Sequence, residues 1–318
     1  VSTMKKGSEI RRAFAACRSA FVATGLFSFF LNLLMLVVPL YMLQVYDRVL
    51  SSRSETTLLM LTILAGFMLL ILGALEIVRS RVLVRTGVKF ESMLKDRVFA
   101  AVFERSVGAP GGTRTQALQD LDALRQFLTG SGLFALLDAP WAPIFIAAIF
   151  LLHPWLGMAS LCGALVLFAL ALLNEALTRG PLKAASERSI KAHNFAELSL
   201  NNAEVLKAMG MLGGIRGRWY QHRLAAVSHQ ARASDRAGII LAGTKFVRLY
   251  LQVLLLGIGA YLAMQQLITP GAMIAAAILM GRALAPVELA VGNWRAFITA
   301  RAALARLKEL LESVPADK

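Results

Sequence analysis

Four stretches of this chain run without a formal charge for as long as a bilayer crossing requires, or longer. Between Arg18 and Asp47 there are 28 such residues, between Glu55 and Glu76 20, between Asp138 and Glu175 36, and between Arg248 and Arg282 33. A helix rises 1.5 Å per residue, so about 20 apolar residues cross the hydrocarbon layer. The two longest runs exceed one crossing and carry a turn signal inside, His153-Pro154 and Thr269-Pro270-Gly271. Each therefore reads as a hairpin of two helices. The pattern predicts six spans, near residues 20–43, 56–78, 134–152, 155–176, 248–267 and 272–294. Every segment has helical length, and no alternating barrel-strand pattern is present. The fold class expected is an all-α membrane protein.

Composition agrees. Hydrophobic residues make up 57% and charged residues 17%, against roughly 45–50% and 25% in soluble domains. This excludes disorder and argues against an ordinary soluble enzyme. The net charge of +15 looks at first like a nucleic-acid signal. Sorted by predicted loop, however, 31 of the 34 cations fall on one side of the six spans. Cations collect on the cytoplasmic face, so both termini are placed inside, with no nucleic-acid partner and with contact to anionic lipid as a corollary. The N-terminal cations followed by an apolar run imitate a signal peptide, but the run is long, and it reads as a retained first span.

The loops are unequal. The outside turns are short, whereas residues 79–133 and 176–248 form two long cytoplasmic connections of helix-forming composition. Spans two to five are expected to continue as helices below the membrane. Flexible exceptions are brief, at Gly108–Gly112 and Met211–Gly214. Within the first connection, Leu118, Leu121, Leu124 and Leu128 recur at helical spacing while Asp120 and Arg125 are polar, the mark of an amphipathic helix packed on neighbours. Within the second, Asn202 is placed to cap a short helix and Gly210 to end it.

Catalytic chemistry is absent from the pattern. His153, His193, His222 and His229 show no ligand spacing with Cys17, Cys162 or carboxylates, so no metal is expected. The two cysteines read as small apolar filler. The nearest approach to a phosphate loop, Gly238–Lys245, has its Thr and Lys in the wrong order for G-x-x-x-x-G-K-[ST]. These residues alone are not expected to hydrolyse ATP or to hold a cofactor. Glu76 and Arg79 are spaced as a simple i,i+3 pair, and Trp141, Trp155 and Trp294 sit near span ends as an interfacial belt.

Several segments together resemble one family. Val38–Leu50 (VPLYMLQVYDRVL), Leu137–Phe145 (LDAPWAPIF) with Leu152–Gly157 (LHPWLG), Ala208–Leu212 (AMGML) and Pro270–Glu288 occur in the order seen in type I secretion permease/ATPases of the PrtD-type branch. The resemblance implies the type IV-like ABC exporter transmembrane domain. It divides the chain into a cytoplasmic segment (1–19), a six-helix transmembrane domain (20–298) and a linker helix (299–318) towards a nucleotide-binding domain, which would follow Leu304–Leu311. It implies a homodimer in the inner membrane, ATP and Mg on that further domain, a periplasmic adaptor, a TolC-type outer-membrane channel and an unfolded polypeptide substrate. It also implies that the inward tips dock on the ATPase, here Asp120, Leu121, Asp122, Leu124 and Arg125 on the first and Glu204, Lys207, Met209 and Gly210 on the second. An ATP-independent channel or signalling subunit is the rival reading, and a lipid or peptide exporter is a lesser one.

Four further residues are candidates for the pore or gate. Arg282 inside the sixth span is costly in lipid; it either lines the translocation path or latches its closed state, or it pairs with a carboxylate on a neighbouring helix. Glu288, six residues on, lies off its face, and Pro286 removes the bond to the 282 carbonyl. Asp138, opening the third span, either pairs with a cation or caps the helix.

Overall fold

The structure is a computed structural model and describes residues 8–108 and 116–314. The Gly108–Gly112 exception therefore lies almost wholly outside the described residues, and no strand occurs among them. The helices are α1 (Ser8–Ala16), α2 (Arg18–Leu34), α3 (Val37–Gln44), α4 (Leu50–Ser52), α5 (Glu55–Gly108), α6 (Gln116–Thr129), α7 (Ser131–Asp138), α8 (Ala142–Leu152), α9 (Pro154–Asn201), α10 (Ala203–Ala208), α11 (Leu212–Met264), α12 (Pro270–Gly292) and α13 (Trp294–Ser313). A π turn, Val45–Val49, joins α3 to α4, and a 3-10 turn, Ala139–Trp141, joins α7 to α8.

Six helical stretches are long and apolar enough to cross a membrane: Arg18–Ser52, Glu55–Arg105, Ser131–Leu152, Pro154–Asn201, Leu212–Met264 and Pro270–Gly292. Their number and order match the expectation, but several ends differ. The first stretch continues helically to Ser52, leaving only Arg53 and Ser54 as the turn, because the π turn absorbs Tyr46–Arg48 without breaking the helix. Arg53 then reverses the chain in the left-handed region at φ 49°.

Spans two, four and five do extend far past the apolar zone. α5, α9 and α11 contain 54, 48 and 53 residues, or roughly 70–80 Å each. The third span does not: it covers only Ser131–Leu152, and α6 below it is a separate helix. Gly130 is extended (φ −95°, ψ 173°) between α6 and α7, and Pro140 and Pro143 follow, each lacking the amide that a continuous helix needs. Prolines instead open α9 and α12, where no amide is required.

Two apolar cores result. The membrane core joins α8, α9, α11 and α12 through Phe145, Ile149, Leu167, Leu255, Met280 and Leu284. The distal core, at the end of α5 remote from its apolar window, joins α1, α5, α6 and α13 through Ala13, Cys17, Phe90, Leu94, Leu121, Leu124 and Leu307. Half of the most apolar window of α12 is buried inside the chain and none of that of α5 is. Thus α12 is the inner span and α5 faces outward.

Candidate functional site: the distal helix ends and an inner span

The first tip is built inward. α6 lies between α5 and α13 with Leu121, Leu124 and Leu128 in the distal core, as its leucine spacing predicts. Asp120 is 3% exposed. Arg306 of α13 donates to it twice, Nε to Oδ2 at 2.7 Å and Nη2 to Oδ1 at 2.6 Å, and Gln116 donates a third bond at 2.9 Å. This bidentate pair holds the Arg306 guanidinium above its ordinary range, with burial opposing and the Asp120 charge adding to the hydrogen bonds. Of the residues named for this tip, Asp120, Leu121 and Leu124 are buried within the chain, while Asp122 is exposed. Arg125 spans the α5–α6 seam, 2.9 Å from Glu91 and 3.2 Å from Asp122.

A second tie closes the same end. Arg97 on α5 reaches Glu9 of α1 at 3.2 Å and donates to the Val314 carbonyl beyond α13. So α1, α5, α6 and α13 are held by two partly buried cations as well as by their apolar core. Sequence reasoning missed both Arg97 and Arg306, because their partners lie 88 to 217 residues away.

The second tip is built outward. Between α9 and α11, Glu204, Val205, Lys207, Met209 and Gly210 are all exposed, with Val205 59%, Met209 65% and Leu212 72% accessible. Gly210 ends α10 at φ +70°. The Met211 amide bonds the Leu206 carbonyl at 3.0 Å and the Gly210 amide the Lys207 carbonyl at 3.1 Å, the two bonds of a Schellman stop. Asn202 does precede α10 but does not cap it: its side chain donates back to Leu198 of α9 at 2.9 Å. An apolar tip presented on two long helices, with one acid and one base, suits insertion into a groove on another domain.

Asp138 pairs with a cation and does not cap. It ends α7 with no side-chain bond to the following amides, and Arg79 of α5 lies 2.8 Å from its Oδ1. Arg79 is 5% exposed. It also bonds Ser28 at 3.1 Å, stacks over Phe134 at 4.7 Å and stands 3.8 Å from Glu76. The expected i,i+3 pair is present but is the weaker contact. A lone Arg one residue past a predicted span end was the available signal for this cluster.

On α12, Glu288 pairs with Arg248 of α11 at 2.6 Å, and Pro286 is buried inside the helix. Arg282 is exposed and makes no ion pair among the described residues. The pairing reading is thereby corrected: the neighbouring carboxylate is taken by Arg248, and Arg282 points away from the chain's own core. At the outer end, Asp47 in the π turn accepts from the Gly271 amide at 2.9 Å and from the Thr269 hydroxyl. A Cβ at Gly271 would sit 2.6 Å from Asp47 Oδ1, so this joint between the first and sixth spans requires glycine.

Beyond the apolar zone a cleft of about 840 Å³ opens between α6, α9 and α13, with Arg179, Lys183, Arg295, Arg301, Glu175 and Glu309 on its walls. Gly238–Lys245 lies in mid-α11. Its amides are committed to the helix and form no phosphate cradle, so the residues present do not fit a nucleotide. No group of three or more His, Cys, Asp or Glu converges among the described residues.

Comparison with known proteins agrees with this architecture. The profile of the ABC transporter transmembrane region matches residues 21–286. The type I secretion system ATP-binding protein PrsD of Rhizobium meliloti (strain 1021) is 41% identical over 94% of this chain and 52% of its own length. The toxin RTX-I translocation ATP-binding protein of Actinobacillus pleuropneumoniae is 25% identical over 93% of this chain and 42% of its own. The leukotoxin translocation ATP-binding protein LktB of Mannheimia haemolytica is 26% identical over the same shares. The chain spans about half the length of these curated relatives. A bacterial Atm1-family ABC exporter with ATP bound superposes with a TM-score of 0.74 over 94% of this chain and 54% of that one; at 16% identity this shows the fold alone. With six spans, helices that run far past the apolar zone and a profile match over most of its length, the chain belongs to the ABC transporter transmembrane region family.

Proposed function

We propose that this chain is the membrane half of a half-transporter. It pairs with a second copy and exports an unfolded polypeptide, of the RTX-like protease, haem-binding or surface-protein kind, by type I secretion. Energy comes from ATP and Mg on nucleotide-binding domains outside these residues. The supporting observation is the 41% identity, over nearly the whole chain, to a type I secretion ATP-binding protein. The partners that follow are a periplasmic adaptor and a TolC-type channel. The setting is the bacterial inner membrane with both termini cytoplasmic, the side on which the cations lie.

In this reading the exposed tip at Val205–Leu212 seats on an ATPase domain. α9 and α11 act as levers from that seat to the membrane core, where they pack on α12. The charged cleft beside α9 and α13 admits the polypeptide, and Arg282 on the uncommitted face of α12 lines its path. Asp120 serves by fastening α6 to α13 and not by touching the ATPase. The test is export in intact cells. The transporter with its nucleotide-binding domain, adaptor and outer channel should move a polypeptide carrying a C-terminal RTX-type signal into the medium. Medium without polypeptide, despite a full complement of partners, refutes this reading; lipid or short-peptide efflux from the same cells supports the rival exporter class.

A further inference from the structure

The long helix α5 carries a row of cations that no carboxylate answers. Arg81, Arg85 and Lys89 recur four residues apart on its exposed side, one face of a helix. Of the other cations of this stretch, Arg79 is committed to Asp138 and Arg97 to Glu9, while Lys95 forms no ion pair among the described residues. Glu91, the nearest acid, is held by Arg125. Arg81, Arg85 and Lys89 form no ion pair among the described residues. Lys89 precedes Phe90, which shares one apolar core with Cys17, where α1 joins α2, and that junction adds Arg18, with Arg11 and Arg12 on α1, all exposed. Val84 and Val88, 46% and 53% exposed, flank the row.

Its depth is set by the helix. The apolar part of α5 ends near Val78, so Arg81 and Arg85 stand roughly 5 and 10 Å below the hydrocarbon boundary and Lys89 roughly 16 Å below it. The head-group layer adds about 5–8 Å per leaflet, and long cationic side chains reach up towards it. A second copy of this chain is a poor occupant, because the other exposed cytoplasmic surface, on α9 and α11, is itself rich in Lys and Arg.

We propose that Arg81, Arg85 and Lys89, with Arg18 beside them, form a binding site for the phosphate of anionic phospholipids in the inner leaflet. This goes beyond the export reading and rests only on its placement of both termini in the cytoplasm. The probe is the complete transporter, extracted in mild detergent and equilibrated with equal amounts of phosphatidylglycerol and phosphatidylcholine of matched chains. Bound lipids are counted by native mass spectrometry. A cation near an anionic head group strengthens binding about fivefold. The triple variant Arg81→Gln, Arg85→Gln, Lys89→Gln is expected to lose the phosphatidylglycerol preference by on the order of tenfold or more. Arg81→Lys with Arg85→Lys should keep it. A control triple on the distal part of α11, Arg216→Gln, Arg218→Gln, Arg223→Gln, should also keep it. An unchanged preference in the first triple, or an equal loss in the control triple, overturns the site. So does the absence of any preference in the wild type.

Discussion

The Asp120–Arg306 pair makes an asymmetric prediction. Asp120 has 4% of its side chain exposed and Arg306 has 33%. Removing Arg306 strands a carboxylate in the distal core with only Gln116 to answer it, at a cost of about 3–5 kcal/mol for a broken buried pair. Removing Asp120 leaves a guanidinium that already touches water and rehydrates in part, so about 2–3 kcal/mol is expected. Both variants also lose the same two bonds, so the double variant Asp120→Ala, Arg306→Ala should cost about 2 kcal/mol or more below the sum of the singles. Because Arg306 is held above its ordinary range, its contribution is fully present below that ordinary value and is lost only as pH rises through the raised one. Neutral-pH measurements thus see all of it. The assay is equilibrium unfolding of the purified complete protein in mixed micelles, one variant at a time. Additivity within about 0.5 kcal/mol, or Asp120→Ala costing more than Arg306→Ala, would refute the clamp.

Three further outcomes follow from the geometry. Gly210→Ala, forcing a Cβ into φ +70°, should cost about 1 kcal/mol at the tip and speed proteolytic nicking between α10 and α11, with the membrane core unaffected. Gly271→Ala should drive Asp47 off the start of α12; limited proteolysis at the outer end is expected to rise, and to rise equally in Asp47→Ala, whereas an intact outer end would contradict the joint. Arg282→Ala should leave thermal stability unchanged, since the side chain is unpaired here, and should alter export rate; the reverse pattern would assign it a structural role.

The six spans were legible because the signal is local: about 20 apolar residues are needed wherever the helix packs. The α6 leucines were legible for the same reason, since helical spacing announces a buried face. What could not be read was which polar residue meets which. Asp120 looked like a surface acid on an amphipathic helix, and its burial depends on Arg306, 186 residues later. Asp138 and Arg79 lie 59 residues apart on different spans, while the Glu76 neighbour in sequence is the looser contact. Asp47 drew no attention beside Arg48, because its role as a cap for α12 exists only once the first and sixth spans meet. Long-range charge pairing is a product of the assembled helices and leaves no periodic trace.

In the proposed function, an ATPase seated on the α10 tip drives polypeptide export through this domain. The direct measurement is polypeptide exported per ATP hydrolysed, in vesicles holding the complete transporter, for wild type and for Met209→Ser with Leu212→Ser. The variant is expected to hydrolyse ATP still, while export per ATP falls by about tenfold or more, on the order of the loss of two buried apolar anchors. Export per ATP equal to wild type would contradict it.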